Sequence, residues 1–220
     1  MAGSLRPSRA VALLTLRLFS LLAGATLFGL VAATGFPPWN SGFAVLLGFL
    51  YGTAFLSGTG YRIVIALAQR RQVHAPASWS GASAGAGLMT ALLALLAPAP
   101  AFVLCGAGSA MTIAYLAVKT GCCLSDCCQR PLRLFGREIG LRGFEIGMSL
   151  ILLTCGGLAL LLNRSDLSAV ILIAGHPGLR LFSRHRRGRT GRGWPPLRQP
   201  GPEIAPLALC AALSLWQLRG

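Results

Sequence analysis

The sequence predicts an all-α fold, a polytopic helical membrane protein of about seven transmembrane helices. Three observations carry this. Charged residues make up only 11% of the 220-residue chain and AVILMFWYC residues 54%, against about 25% charged in an ordinary soluble domain. A mean hydropathy of +0.66 leaves too little polar surface to cover a globule. Long apolar runs also recur along the whole chain between short proline, glycine or arginine punctuation.

The elements follow in order. Residues 10–34 are apolar apart from Arg17, and a hydrocarbon core of about 30 Å needs roughly 20 helical residues. Arg6 and Arg9 precede this run, as in a signal peptide. The run exceeds the roughly 7–15 apolar residues of such a signal, so a retained helix is expected. GFPPWN at 35–40 reads as a turn, with Trp39 suited to an interface. The second span, 42–68, ends at Arg70-Arg71 and aligns Gly48, Gly52, Gly58 and Gly60 as small residues on which helices can approach closely. Two runs, 82–97 and 99–118, are divided by the PAP at 98–100. The remaining spans are 144–162, 167–182 and 203–218. Those near 16 residues reach only about 24 Å, so flanking residues must join them or they embed partly. Neither an internal repeat nor a long linker is evident. The expectation is one membrane-embedded domain over 1–220.

The charge is lopsided: 20 Lys+Arg against 5 Asp+Glu, net +15, with Lys119 the single lysine. In a soluble chain this balance would suggest nucleic acid. In a chain this apolar it suggests anionic lipid headgroups, and no nucleic-acid partner is expected. Two stretches read as arginine-rich loops. The first, 119–143, carries Lys119, Arg130, Arg133, Arg137 and Arg142. The second, 183–202, carries Arg184, Arg186, Arg187, Arg189, Arg192 and Arg198. With seven spans, the positive-inside rule gives an N-in, C-out orientation.

Cys122, Cys123, Cys127 and Cys128 lie in one heptapeptide as two vicinal pairs. Structural zinc sites use spaced knuckles with a distant second pair, so neither a metal nor a cofactor is expected. A disulfide between the pairs is left open. Cys105, Cys155 and Cys210 sit in apolar runs as small hydrophobes. His74, His176 and His185 are scattered, with His176 before Pro177 near an expected helix end. HExxH and GxxxxGK[ST] patterns are missing, as is a GxSxG with plausible partners. Glu145 opens an apolar span, and an acid there is a functional candidate; the competing reading is a snorkelling carboxylate paired with Arg142.

At KTGCCLSDCCQRP (119–131) the chain resembles the prolipoprotein diacylglyceryl transferase family, through Gly121, Cys122, Leu124, Cys127 and Cys128 of its GCFLxGCCxG signature. Upstream, SGASAGAGL (80–88) is similar to the family's GGxSxHGG in Gly81, Ser83, Gly87 and Leu88. Gly143-Phe144-Glu145 resembles its LYE helix opening. HPGLRLFSRHRR keeps Arg180 and Arg187 at the spacing of its YGxxRFxxExxR. The resemblance covers residues 42–218 at low identity. Lys119 stands where the family has arginine, Gly85 where it has histidine, Arg184 where it has glutamate and His176 where it has tyrosine. Gln129-Arg130 replaces the signature's final Tyr-Gly.

This resemblance implies transfer, in the bacterial inner membrane, of the diacylglyceryl group of phosphatidylglycerol to the thiol of a lipobox cysteine in prolipoproteins, releasing glycerol phosphate. Guanidinium groups would bind the phosphate oxygens bidentately. The attacking thiol needs a base or a strong positive field. On this basis Arg180, Lys119 and Glu145 are the expected catalytic residues, with Glu145 orienting a cation or taking part in proton transfer. Arg187, Gly81, Ser83, Gly87, Gly121 and Cys127 would contact substrate. The resemblance also implies a site facing the extracytoplasmic side, opposite to the charge-derived orientation. The alternative is a relative that binds anionic phospholipid without turnover. A transporter is disfavoured, since paired broken helices in two matching halves are not evident.

Overall fold

A computed structural model of the chain describes residues 7–38, 40–59, 79–124, 131–134, 137–188 and 204–217. Among these there are seven helices: α1 (Pro7–Ala33), α2 (Ser41–Thr59), α3 (Trp79–Leu96), α4 (Pro100–Leu124), α5 (Leu141–Leu161), α6 (Ser165–Gly188) and α7 (Ile204–Gln217). A hairpin of β1 (Pro131–Leu134) and β2 (Arg137–Gly140) stands between α4 and α5. Among the described residues, three segments are long and apolar enough to cross a membrane: Ser41–Gly58, Pro100–Gly121 and Leu141–Leu161. Shorter apolar stretches lie in α1, α3 and α7.

α4 is the axis of the molecule. It packs on α1, α3, α5, α6 and α7, and the surrounding helices follow the contact path α1–α2–α3–α7–α6–α5. In the α4 segment 61% of residues are buried, against 28% in the α2 segment and 22% in that of α5. The distribution of side-chain size is inverted relative to a soluble bundle. The interior is rich in small residues, among them Ala32, Ala44, Ala86, Ala107, Ala110 and Ala169. Leu22, Phe49, Leu96, Ile151, Leu158, Leu161 and Trp216 point outward. Large apolar groups outside and small ones inside suit a solvent of lipid tails, where association comes from close packing and not from expulsion of water.

The glycines show how close that packing is. A Cβ on Gly48 would stand 2.6 Å from the Ala25 carbonyl oxygen, and one on Gly29 would collide with the Ala44 backbone. Farther along α2, Gly58 abuts the Gly81 backbone and Gly85 that of Ala54. The expected small-residue face of the second span is therefore the contact with α1 and α3; Gly60 lies outside the described residues.

Local signals set the helix ends. Asn40 accepts a hydrogen bond from Phe43 N at 2.8 Å and caps α2. Pro100 takes the first position of α4, where its missing N–H costs nothing. At the end of α5, Asn163 adopts φ 57°. Its N–H donates to Leu160 O, and that of Arg164 donates to Ala159 O at 2.9 Å, which closes a left-handed helix cap. Arg164 then pairs with Asp166 in the first turn of α6 at 3.2 Å. That hydrogen-bonded guanidinium holds the Asp166 carboxyl below the usual range.

Four expectations change. The described parts of the expected loop 119–143 are regular structure: residues 119–124 extend α4, 131–134 and 137–140 pair as strands and 141 begins α5. The hairpin register places Arg133 opposite Glu138 and Leu132 opposite Ile139. α6 does not stop at 182 but continues to Gly188, so the first arginines of the second expected loop are helical. Pro177 lies inside α6 and not near its end; neighbouring helices can satisfy the backbone groups that a proline frees in such a setting.

Candidate functional site

The site grows from pairs of residues one helical turn apart, which share a face. α4 carries Tyr115 and Lys119, α5 carries Glu145 with Arg142 three residues before it, and α6 carries His176 and Arg180. Because α4, α5 and α6 pack mutually, these faces meet. Lys119 Nζ lies 2.7 Å from Glu145 Oε2, with the carboxylate completely buried. The Tyr115 hydroxyl donates to Glu145 Oε1, also at 2.7 Å. Lys119 Nζ lies 4.9 Å from the Tyr115 ring centroid and Arg180 Cζ 5.4 Å from it. His176 packs edge-on against the same ring at 5.3 Å. A single aromatic side chain thus touches one acid, two cations and an imidazole from three helices.

The surroundings fix this arrangement. Ser149 Oγ donates to the Glu145 carbonyl at 2.8 Å, satisfying a hydroxyl inside the helix that carries the acid. Phe144 and Phe182 pack at 5.2 Å and brace α5 on α6. Two to three turns away along the helices, Ser168 donates to Gly156 O at 2.8 Å and meets Cys105 Sγ at 3.0 Å, tying the same three helices again. Arg142 and Ser183 are buried nearby in sequence on α5 and α6.

Beside the cluster lies a pocket of about 270 Å3 between α3, α6 and α7. Its walls are mainly apolar, including Ala174, Leu181, Leu207 and Ala211, and its polar groups are Ser83, His176 and Arg180. His176 and Arg180 belong to both the pocket and the cluster. Ser83 is buried, and its hydroxyl has no hydrogen-bond partner among the described residues. A cationic head and a hydroxyl in an apolar cleft suit a ligand with a charged end and a hydrocarbon body.

No family model, curated protein or solved structure matches this chain. The site is therefore read from its own residues.

The expected positions divide into three sets. Lys119, Glu145 and Arg180 come together around Tyr115, and Ser83 reaches the pocket that Arg180 lines. Gly81 and Gly87 are instead at helix contacts. The Gly81 backbone faces Gly58, while Gly87 faces Pro206 and Leu207 and its carbonyl accepts from Cys210 Sγ at 3.4 Å. Gly121 is buried near the end of α4. Cys127 lies outside the described residues, as does the side chain of Arg187, whose backbone belongs to the last turns of α6. Of the competing descriptions of Glu145, a snorkelling carboxylate does not describe a group with no exposed surface. Among the described residues, His, Cys, Asp and Glu form no group of three that could hold a metal.

Tyr115 was missed by sequence reasoning. A tyrosine in the apolar run 99–118 reads as core, and its only signal is that Lys119 follows at i+4. His176 reads in the sequence as one of three scattered histidines and as the replacement for a tyrosine, with no role assigned to it.

Proposed function

We propose that the chain is a bacterial plasma-membrane protein, with all seven helices embedded. In this reading it binds phosphatidylglycerol at the Lys119–Glu145–Arg180 cluster and transfers the diacylglyceryl group to the thiol of a lipobox cysteine. The observation that carries this reading is the convergence of Lys119, Glu145 and Arg180 on Tyr115. Charge arithmetic supports an anionic ligand. Five acids cannot neutralise twenty bases one for one, and cations held in an apolar interior require counter-charge. A phospholipid brings that charge on its phosphodiester and offers its chains to the apolar walls beside Arg180. The resemblance of residues 80–88, 119–131, 143–145 and 176–187 points to the same family of reactions, and the near absence of lysine among many arginines fits a GC-rich bacterial genome.

In the proposed reaction the sulfur of the substrate cysteine attacks the glyceryl carbon next to the phosphate ester oxygen, and the thiol proton ends on the departing glycerol phosphate. A carbon–sulfur bond forms, the carbon–oxygen bond breaks, and glycerol phosphate leaves with the electron pair. Lys119 and Arg180 would stabilise the departing charge. Glu145 would orient Lys119 by the 2.7 Å contact. A positive field also favours the thiolate form of the incoming cysteine.

The purified protein is mixed with phosphatidylglycerol and a lipobox peptide, and the peptide mass is followed. The expected product carries one diacylglyceryl group, and Arg180→Ala abolishes it. Failure of wild type to modify the peptide, and to restore lipoprotein modification in cells depleted of the native enzyme, overturns the transferase reading. Saturable phosphatidylglycerol binding without turnover would instead identify a lipid-binding relative. The engagement of Glu145 by both Tyr115 and Lys119 favours that second reading, because an acid tied at both oxygens is a poor proton acceptor.

A further inference from the structure

The pocket between α3, α6 and α7 carries a hydroxyl to which the transfer chemistry assigns no step. We propose that Ser83 donates a hydrogen bond to the ester carbonyl of an acyl chain seated in that pocket, so that the site selects ester-linked glycerolipids over their ether-linked counterparts; this rests on the reading that the chain binds a glycerolipid.

Buried hydroxyls on the other helices are satisfied close to home. Thr90, Thr112, Ser149 and Ser214 each donate to the carbonyl four residues before, at 2.7, 2.7, 2.8 and 2.9 Å, which answers the need for an acceptor where water is scarce. Ser83 lies just as deep on α3, at 1% exposure, yet its hydroxyl has no hydrogen-bond partner among the described residues. An unpaired buried donor is costly unless a ligand supplies the acceptor. Ser183 is in the same state but does not line the pocket. One turn after Ser83, on the same face of α3, the contact with α7 is sealed: a Cβ on Gly87 would lie 3.1 Å from Pro206 Cβ, and Gly87 O accepts from Cys210 Sγ. Ser83 therefore stands beside a closed helix contact and on the wall of a cavity.

The walls select the occupant. Ala174, Leu181, Leu207 and Ala211 present hydrocarbon to the cavity. Of the lining residues, Ala174, Gly178, Leu181 and Ala208 are also exposed on the outside of α6 and α7, and a Cβ on Gly178 would meet nothing within 4 Å. The cavity thus opens toward the surroundings of these helices, which in a bilayer are lipid tails. An acyl chain enters there without crossing water, but hydrocarbon offers a hydroxyl no acceptor. The acceptor nearest to an acyl chain is its own ester carbonyl, which is neutral and far cheaper to bury than an ion. An ether linkage fills the same space without that carbonyl.

The linkage itself is the test. The full chain is reconstituted in nanodiscs of ether-linked phosphatidylcholine. Two isotope-labelled phosphatidylglycerols with chains of equal length, one ester-linked and one ether-linked, are titrated in, and bound lipid is counted by native mass spectrometry. Wild type is expected to hold the ester probe about fivefold more tightly, the worth of one hydrogen bond. Ser83→Ala is expected to bring the ester probe down to the level of the ether probe and to leave the ether probe unchanged. Gly178→Leu, whose side chain has room to extend over the opening, is expected to weaken both probes by about tenfold. Equal affinity of wild type for the two probes overturns the proposal. So does a Ser83→Ala chain that keeps the preference, or that loses both probes alike as a packing defect would. Unchanged binding in Gly178→Leu removes the pocket as the seat of the chain, and the proposal with it. If Gly178→Leu does not fold, Ser83→Ala decides, since it deletes a single oxygen. A wild type that prefers phosphatidylglycerol to phosphatidylcholine but ignores the linkage overturns only the role of Ser83. One that takes up neither probe overturns the lipid reading as well.

Discussion

The α1–α2–α3 side of the molecule and the α4–α5–α6 side are held together by different physics. On the first, backbones approach until a methyl group would not fit, as at Gly29 against Ala44 and Gly58 against Gly81. The described interior of that side has hydroxyls but no charged side chain, and Thr90 Oγ donates to Ala86 O within its own helix at 2.7 Å. On the second side the helices are joined by polar side chains: the Lys119–Glu145 pair, the Tyr115 hydroxyl and the Ser168 bridge. Steric packing cares about shape and tolerates changes in salt or pH. A buried ion pair is costly to assemble and is poor evidence for stability by itself, although breaking it is severe. That a chain able to pack helices on glycine and alanine places charge between three of them is a cost that the proposed anionic ligand would account for.

The largest effect is expected where that charge is unbalanced. Glu145→Ala leaves Lys119 buried without its partner, and loss of one member of such a pair costs about 3–5 kcal/mol. Thermal unfolding in detergent should show it. Adding Lys119→Met to Glu145→Ala should recover much of the loss, since an apolar pair of similar size can be neutral or better. A double variant no more stable than Glu145→Ala alone would show that the pair is not the unit.

On the steric side, Gly29→Val should cost about 1–3 kcal/mol, the usual range for overpacking. Here the colliding atom belongs to the Ala44 backbone, which cannot rotate away. The comparison sharpens if Gly29→Val lowers the melting temperature while phosphatidylglycerol binding in the folded protein is unchanged, and Arg180→Ala does the reverse. Equal damage to binding by both would mean the two sides are not separable.

How much of this could be read in advance follows from the same contrast. The small-residue face of α2, the PAP break before α4 and the turn at 35–40 were legible because glycine and proline act locally. Glu145 stood out because an acid opening an apolar span is rare, and Lys119 through the family resemblance. Tyr115 did not, because an aromatic residue in such a run has an ordinary role in packing, and only the meeting of three helices shows another. The arginines after 183 suggested a loop by their charge, yet arginine has a good helix propensity, and α6 continues through residues 184–188. The hairpin was hidden by its position next to the cysteine cluster, where charge and cysteine drew the reading toward a loop. The orientation of the chain stays with the two competing expectations, charge-derived and resemblance-derived. Labelling single cysteines placed in 183–202, on a background lacking the native seven, from outside intact cells distinguishes them.

The smallest effect belongs to the ion pair at the other end of the α5–α6 unit. Arg164 and Asp166 meet at 3.2 Å in the turn between the helices, with the Arg164 side chain largely in solvent. Surface pairs of this kind contribute little and are screened by salt. Asp166 has its carboxyl lowered mainly by the hydrogen bond from Arg164. Its contribution is therefore present above the unfolded pKa, about 3.9, and is lost as pH falls through the still lower folded value. Asp166→Asn should lower the melting temperature less than any variant above at neutral pH, and the difference from wild type should vanish in roughly 0.5 M salt. Asn163 holds the turn independently through its left-handed backbone, so the cap survives the loss of the pair. A drop in Asp166→Asn as large as that of Gly29→Val would show instead that the turn depends on the charge, and that electrostatics reaches across the whole α5–α6 unit and not only its buried end.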